Sequence, residues 1–145
     1  MFRTTLFRQT MFAEFEKFAH DEYEQGHPLT AENMSAKYYE LNKAYYGNGV
    51  IHDKDIEIEW ARIPHFYNAF YVYKYATGLT TAVNIDNKLL TEEGYVDKYL
   101  KFLSTGGSLY PLPTIEIADV DLKSSAPFEF AMSEFKKTLD ELVTL

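Results

Sequence analysis

Four tyrosines and a histidine crowd the stretch ARIPHFYNAFYVYKYATG, Ala61 to Gly78, alongside two phenylalanines. A phenol donates one strong hydrogen bond, and an imidazole exchanges its proton near neutral pH. A line of phenols beside His65 is therefore suited to donating hydrogen bonds to a carbonyl oxygen that becomes negatively charged during acyl transfer. Placed on a helix, Tyr67, Tyr71, Tyr75 and Gly78 recur at i, i+4, i+8 and i+11 and share a face, while Phe66, Ala69, Phe70, Tyr73 and Thr77 fall on the others. Filling a core accounts for Phe66 and Phe70. It accounts poorly for stacked hydroxyls, because a buried phenol without a partner costs about 1–3 kcal/mol. Such a wall would hold and polarise a substrate, with the nucleophile supplied from elsewhere.

Other chemistry is thinly represented. His20, His27, His52 and His65 are not paired at the i, i+3 or i, i+4 spacing of a helix-borne metal site. Glu16, His20 and Glu24 do share a helical face at that spacing and form a candidate ligand set, against the simpler reading of a solvated acidic face. Glu24-Gln25-Gly26-His27 matches Glu-x-x-His in letters, but Gly26 and Pro28 break the helix that would unite the two side chains. There is no HExxH, no glycine-rich phosphate loop and no serine in a nucleophile elbow. No metal is expected in this chain alone, and no unaided catalysis.

Composition narrows the partners. A formal charge of −8, from 22 acidic against 14 basic residues, leaves no basic stripe to neutralise a phosphate backbone, so nucleic acid is not expected as a partner. The absence of cysteine removes disulfides and thiolate chemistry and is compatible with a reducing cytoplasm. The opening MFRTTLFRQTMFAEFEKF is interrupted by arginines and acids every few positions, so neither an export signal nor a membrane span is expected. At 145 residues, one domain over 1–145 is the expectation.

The elements that must position the phenols read as helices throughout. Phe7, Met11, Phe15, Phe18 and Tyr23 predict a helix over 2–25 that stops at Gly26-His27-Pro28. Thr30 caps a second helix carrying Met34, Tyr38, Leu41 and Tyr45, ended by Gly47-Asn48-Gly49. The segment VIHDKDIEIEWARIP alternates Ile56, Ile58 and Trp60 like a strand, but lacks a partner strand and reads better as a short helix capped by Asp55. A buried central helix is predicted over 65–90, another over 95–104 closed by Gly106-Gly107, a helical turn over 115–118, and a last helix over 127–142 with Ala131, Phe135, Leu139 and Leu142 on one side. The fold class is all-α, an irregular multi-helix bundle, since no heptad persists.

Several stretches together carry a resemblance. FRQTMFAEFEKFAHDEYEQGHPLTAE, LNKAYYG, EWARIPHFYNAFYVYKYATG, YLKFLSTGGSLYP and FKKTLDEL occur in an order and at spacings similar to those of oligoendopeptidase F, a group of zinc metallopeptidases in the thimet oligopeptidase family. The resemblance covers essentially the whole chain and implies the C-terminal portion of a larger helical, zincin-like peptidase domain. It implies hydrolysis of short peptides in the cytoplasm by the complete enzyme. The zinc ligands and the glutamate base of HExxH would lie upstream of Met1, in an N-terminal remainder that becomes a partner of this chain. It also implies that His65 and the tyrosines after it face the zinc across a cleft. Tyr75, just before Ala76-Thr77-Gly78, is the first choice for the oxyanion-stabilising phenol and Tyr71 the second; the spacing differs from that of thimet oligopeptidases, so Tyr67 and Tyr73 stay open as substrate-binding alternatives. Such a piece would expose apolar surface and self-associate. The other reading of the same residues is a free-standing, non-catalytic helical module that binds peptides in an aromatic groove.

Overall fold

Helix follows helix in the computed structural model, which describes residues 1–144; among these there is no β-strand. The chain divides into two compact units, Met1–Ala76 and Thr77–Leu145. No helix among the described residues is long and apolar enough to cross a membrane.

In the first unit a π-helical turn, Arg3–Phe7, runs into α1, Arg8–Glu24. Gly26, at φ +79°, ends it in a left-handed conformation that a side chain would oppose. The second helix, α2, spans Ala31–Tyr46 and opens with a reciprocal cap: Asn33 N–H donates to Thr30 Oγ1, and Thr30 N–H donates to Asn33 Oδ1. The two helices close over Met11, Phe12, Phe15, Met34, Tyr38 and Leu41, with Phe15 edge-on to Tyr38 at 5.2 Å between ring centres. Tyr23, expected on the apolar stripe of α1, is exposed instead.

The ambiguous segment is helical but tighter than expected, a 3-10 helix over Lys54–Arg62. Its cap is Asp53, whose carboxylate accepts the Asp55 N–H at 3.0 Å, and not Asp55. A second 3-10 helix, Pro64–Tyr67, follows. The central helix, α3, starts only at Tyr73 and runs to Thr91, so the continuous helix expected from His65 is broken over residues 68–72. The reason is packing. Ile63 and Val72 both belong to the core cluster, yet on one continuous helix their side chains would lie on roughly opposite faces. The helix is interrupted between them, and both are buried in the same cluster.

In the second unit, α4 spans Tyr95–Thr105, α5 Pro111–Glu116 and α6 Ala126–Val143. Ile85, Tyr95, Ala118 and Val120 form its core, and the buried Tyr95 hydroxyl is satisfied by the Ala118 carbonyl at 2.5 Å. Asn84 donates to the Pro127 carbonyl at 2.9 Å and so ties α3 to α6. The helical turn expected over 115–118 begins earlier, because Pro111 presets the backbone of a first turn. On α6 only part of the expected stripe is covered: Ala131 is buried, while Leu139 and Leu142 are exposed. Val96, Leu100 and Leu103 line up exposed at i, i+4, i+7 along α4.

Candidate functional site

Three of the phenol-rich residues meet. His65 sits on the Pro64–Tyr67 turn, anchored on either side by buried Ile63 and by Phe66, whose ring packs on Phe12 at 5.5 Å and on Phe15 at 5.4 Å. Its imidazole stacks on the Tyr71 ring at 5.7 Å and meets Tyr75 edge-on at 6.0 Å. Tyr71 and Tyr75 lie 5.5 Å apart at 73°, and the Tyr75 hydroxyl donates to the Tyr71 hydroxyl at 2.9 Å. Lys74 places its ammonium 4.8 Å from the centre of the Tyr71 ring.

The protonation pattern follows from that pair. Its hydrogen bond to Tyr71 raises the Tyr75 pKa above the usual phenol value, because a proton already shared with a neighbouring oxygen is harder to remove. Tyr71, accepting from Tyr75, has its own O–H free of that bond to donate to an acceptor outside the pair, and accepting one bond strengthens the donation of the next. The dyad can thus offer a polarised donor beside a positive charge, the arrangement suited to an oxygen gaining negative charge.

The expected single face of Tyr67, Tyr71 and Tyr75 does not exist, since the helix that would align them is broken. Tyr71 and Tyr75 meet across the start of α3, whereas Tyr67 is 83% exposed at the rim of a separate pocket of about 230 Å³ lined by Phe15, Met34, Trp60 and Phe66. Tyr73 is half-exposed on the first turn of α3. Phe70, expected to pack in the core with Phe66, is 50% exposed and stacks on His20 at 4.4 Å.

The loop that presents Tyr71 is held by a carboxylate. Phe70 has φ +55°, which is unusual for a bulky residue, and its N–H donates to Glu16 Oε1 at 2.6 Å. Glu16 is buried on the apolar side of α1. A second carboxylate braces the preceding turn: Glu59 accepts from Arg8 at 2.7 Å, Arg62 at 2.6 Å and the buried Tyr38 hydroxyl at 2.6 Å. Burial pushes Glu59 up, but the hydrogen bonds from Arg8 and Tyr38 and the two guanidinium charges outweigh it and hold its carboxyl below the ordinary value. Burial first, and then the bond to Glu59, push Tyr38 well above the usual phenol range.

Sequence reasoning passed over Glu59 and read Glu16 only as a candidate metal ligand or part of a solvated acidic face. Glu16 stands in line with Phe12 and Ala19 at i−4 and i+3 on an otherwise apolar face, and an acid in that position is a signal of a specific buried partner. The candidate metal set of Glu16, His20 and Glu24 is overturned: Glu16 faces the Phe70 amide and His20 stacks on the Phe70 ring, while Glu24 is exposed at the end of the helix. Among the described residues no group of three or more His, Cys, Asp or Glu side chains could hold a metal ion.

Comparison with known proteins adds a consistent result. The model of Peptidase family M3 matches residues 2–134. Oligopeptidase PepF of Bacillus subtilis is 48% identical over 145 residues, covering 99% of this chain and 22% of that protein. The chromosomal oligoendopeptidase F of Lactococcus lactis subsp. cremoris is 44% identical over 147 residues, covering 99% of this chain and 24% of that protein. The crystal structure of oligoendopeptidase-F from Enterococcus faecium superposes with a TM-score of 0.95 at 46% identity, over 99% of this chain and 28% of that one. The chain thus spans about a quarter of the length of the relatives it matches.

Proposed function

This chain belongs to peptidase family M3, and from that premise we propose that it is the C-terminal part of the catalytic domain of a zinc-dependent oligopeptidase, in which His65, Tyr71 and Tyr75 bind the scissile carbonyl of a short peptide. The observation that carries the reading is the hydrogen-bonded phenol pair stacked on His65. Tyr71 donates to the substrate oxygen as negative charge develops there, Tyr75 orients and polarises Tyr71, and His65 fixes the plane of the Tyr71 ring. Tyr73, half-exposed on the first turn of α3, contacts the peptide beside this cluster, and Tyr67, at the rim of the neighbouring pocket, contacts it farther along. The metal and its ligands reside with the N-terminal remainder of the peptidase, and both units of this chain belong to that one domain. The apolar stripe of Val96, Leu100 and Leu103 supports a covering remainder, because side chains at that spacing are ordinarily covered.

The test is kinetic. In the complete peptidase, Tyr71→Phe and Tyr75→Phe should each lower kcat, Tyr71→Phe by about 10²-fold, with little change in KM, as expected for a donor used mainly in the transition state. Unchanged kcat in both variants would remove the phenols from the reaction. If the reading frame upstream of Met1 held no HExxH, the non-catalytic peptide-binding module would become the better reading.

A further inference from the structure

Glu16 is a buried group that the proposed chemistry does not use, and its position gives it a role of its own. It projects from α1 into the core side of the first unit, where a carboxylate is stable only with a partner. The partner is the backbone N–H of Phe70, at 2.6 Å and fifty-four residues away in sequence. Phe70 is also where the backbone is strained: φ +55° costs a non-glycine residue stability unless its surroundings hold it there. His20, one turn along α1 from Glu16, stacks on the Phe70 ring at 4.4 Å, so a single helix grips both the amide and the side chain of this residue. The next residue is Tyr71.

We propose that Glu16 is a positioning residue, whose carboxylate locks the 68–72 loop in the strained form that sets Tyr71 against His65 and within reach of the Tyr75 hydroxyl. Without the lock, Phe70 relaxes to negative φ and the chain direction at Tyr71 turns away from the imidazole. The bond joins a buried side chain of α1 to a partly buried loop amide, so it favours one loop conformation without help from the substrate. The inference rests on the reading of His65, Tyr71 and Tyr75 as the carbonyl-binding cluster.

The experiment uses the complete peptidase with Glu16→Leu, Glu16→Gln, Phe70→Gly and Tyr71→Phe, singly and combined, and has two readouts. Glu16→Leu should speed hydrogen–deuterium exchange in the peptide spanning residues 68–72 and lower kcat by roughly tenfold or more with KM changed less than about threefold. Glu16→Gln keeps an acceptor oxygen of the same shape and should stay near wild type in both. Adding Phe70→Gly to Glu16→Leu should restore part of kcat, because glycine adopts positive φ freely. In a Tyr71→Phe background, Glu16→Leu should cost nothing further, since it acts through the missing hydroxyl. Should Glu16→Leu not fold, Phe70→Pro breaks the same bond from the exposed loop side and should give the same loss.

The failures separate. Unchanged kcat in Tyr71→Phe sinks the reading of the cluster. A lowered kcat in Tyr71→Phe that Glu16→Leu multiplies independently, or unchanged exchange and kcat in Glu16→Leu, sinks the positioning role while leaving the cluster intact.

Discussion

Tyr38→Phe isolates one buried hydrogen bond and gives a number to measure. The ring is fully buried between Phe12 and Phe15, and phenylalanine keeps those contacts, so the packing part of the change is small. What is lost is the hydroxyl that donates to Glu59 Oε2 at 2.6 Å. A hydrogen bond to a charged group contributes about 1.5–3 kcal/mol. Glu59 keeps Arg8 and Arg62, both on its other oxygen, so Oε2 loses the donor bonded to it; the middle of that range, about 2 kcal/mol, is the expectation. Trp60 is the chain's only tryptophan and packs against the same core, so its fluorescence reports unfolding of the first unit specifically. With a urea m-value of about 1 kcal/mol/M for a unit of this size, the midpoint should fall by roughly 2 M. A fall of less than about 0.5 M, at unchanged m, would refute the view that this hydroxyl and carboxylate form a strong buried pair.

The remaining predictions use the same reporter or a direct physical measurement. Glu59 has a folded pKa below its ordinary value of 4.5, so its contribution is present above that value and is lost as pH falls through the lower folded value. The Trp60 midpoint should therefore drop as pH is lowered below about 4.5, and Glu59→Gln should remove the Glu59 part of that drop; an identical acid profile in the variant would contradict it. Thr30→Ala breaks the reciprocal cap of α2 and should cost about 1 kcal/mol in the same unfolding assay, with no effect outside the first unit. The isolated chain should self-associate through the α4 stripe, and Leu100→Lys with Leu103→Lys should shift sedimentation toward monomer; equal sedimentation of both proteins would place the contact elsewhere.

The clustered phenols illustrate how far linear pattern carries. Residue types alone put His65, Tyr71 and Tyr75 on a short list, and their conjunction survives in the folded chain, but by a different route from the one periodicity suggests. A helical wheel aligns Tyr67 with Tyr71 and Tyr75, and the broken backbone sends Tyr67 to another surface. The same wheel puts Phe70 inside, whereas it stands half-exposed over His20.

By itself the sequence determined the helical class, the caps at Thr30 and Gly26, the stripes of α1 and α2, and the resemblance to oligoendopeptidase F, because each depends on residues within a few positions of one another or on a long run of shared identities. Tertiary structure alone decided the break before Tyr73, the pairing of Glu16 with the Phe70 amide and the convergence of Arg8, Tyr38 and Arg62 on Glu59. Those choices balance local helix propensity against burial of Ile63 and Val72 on one side and against the need of two buried carboxylates for donors. The partners lie up to fifty-four residues apart, so no local window contains the competing energies.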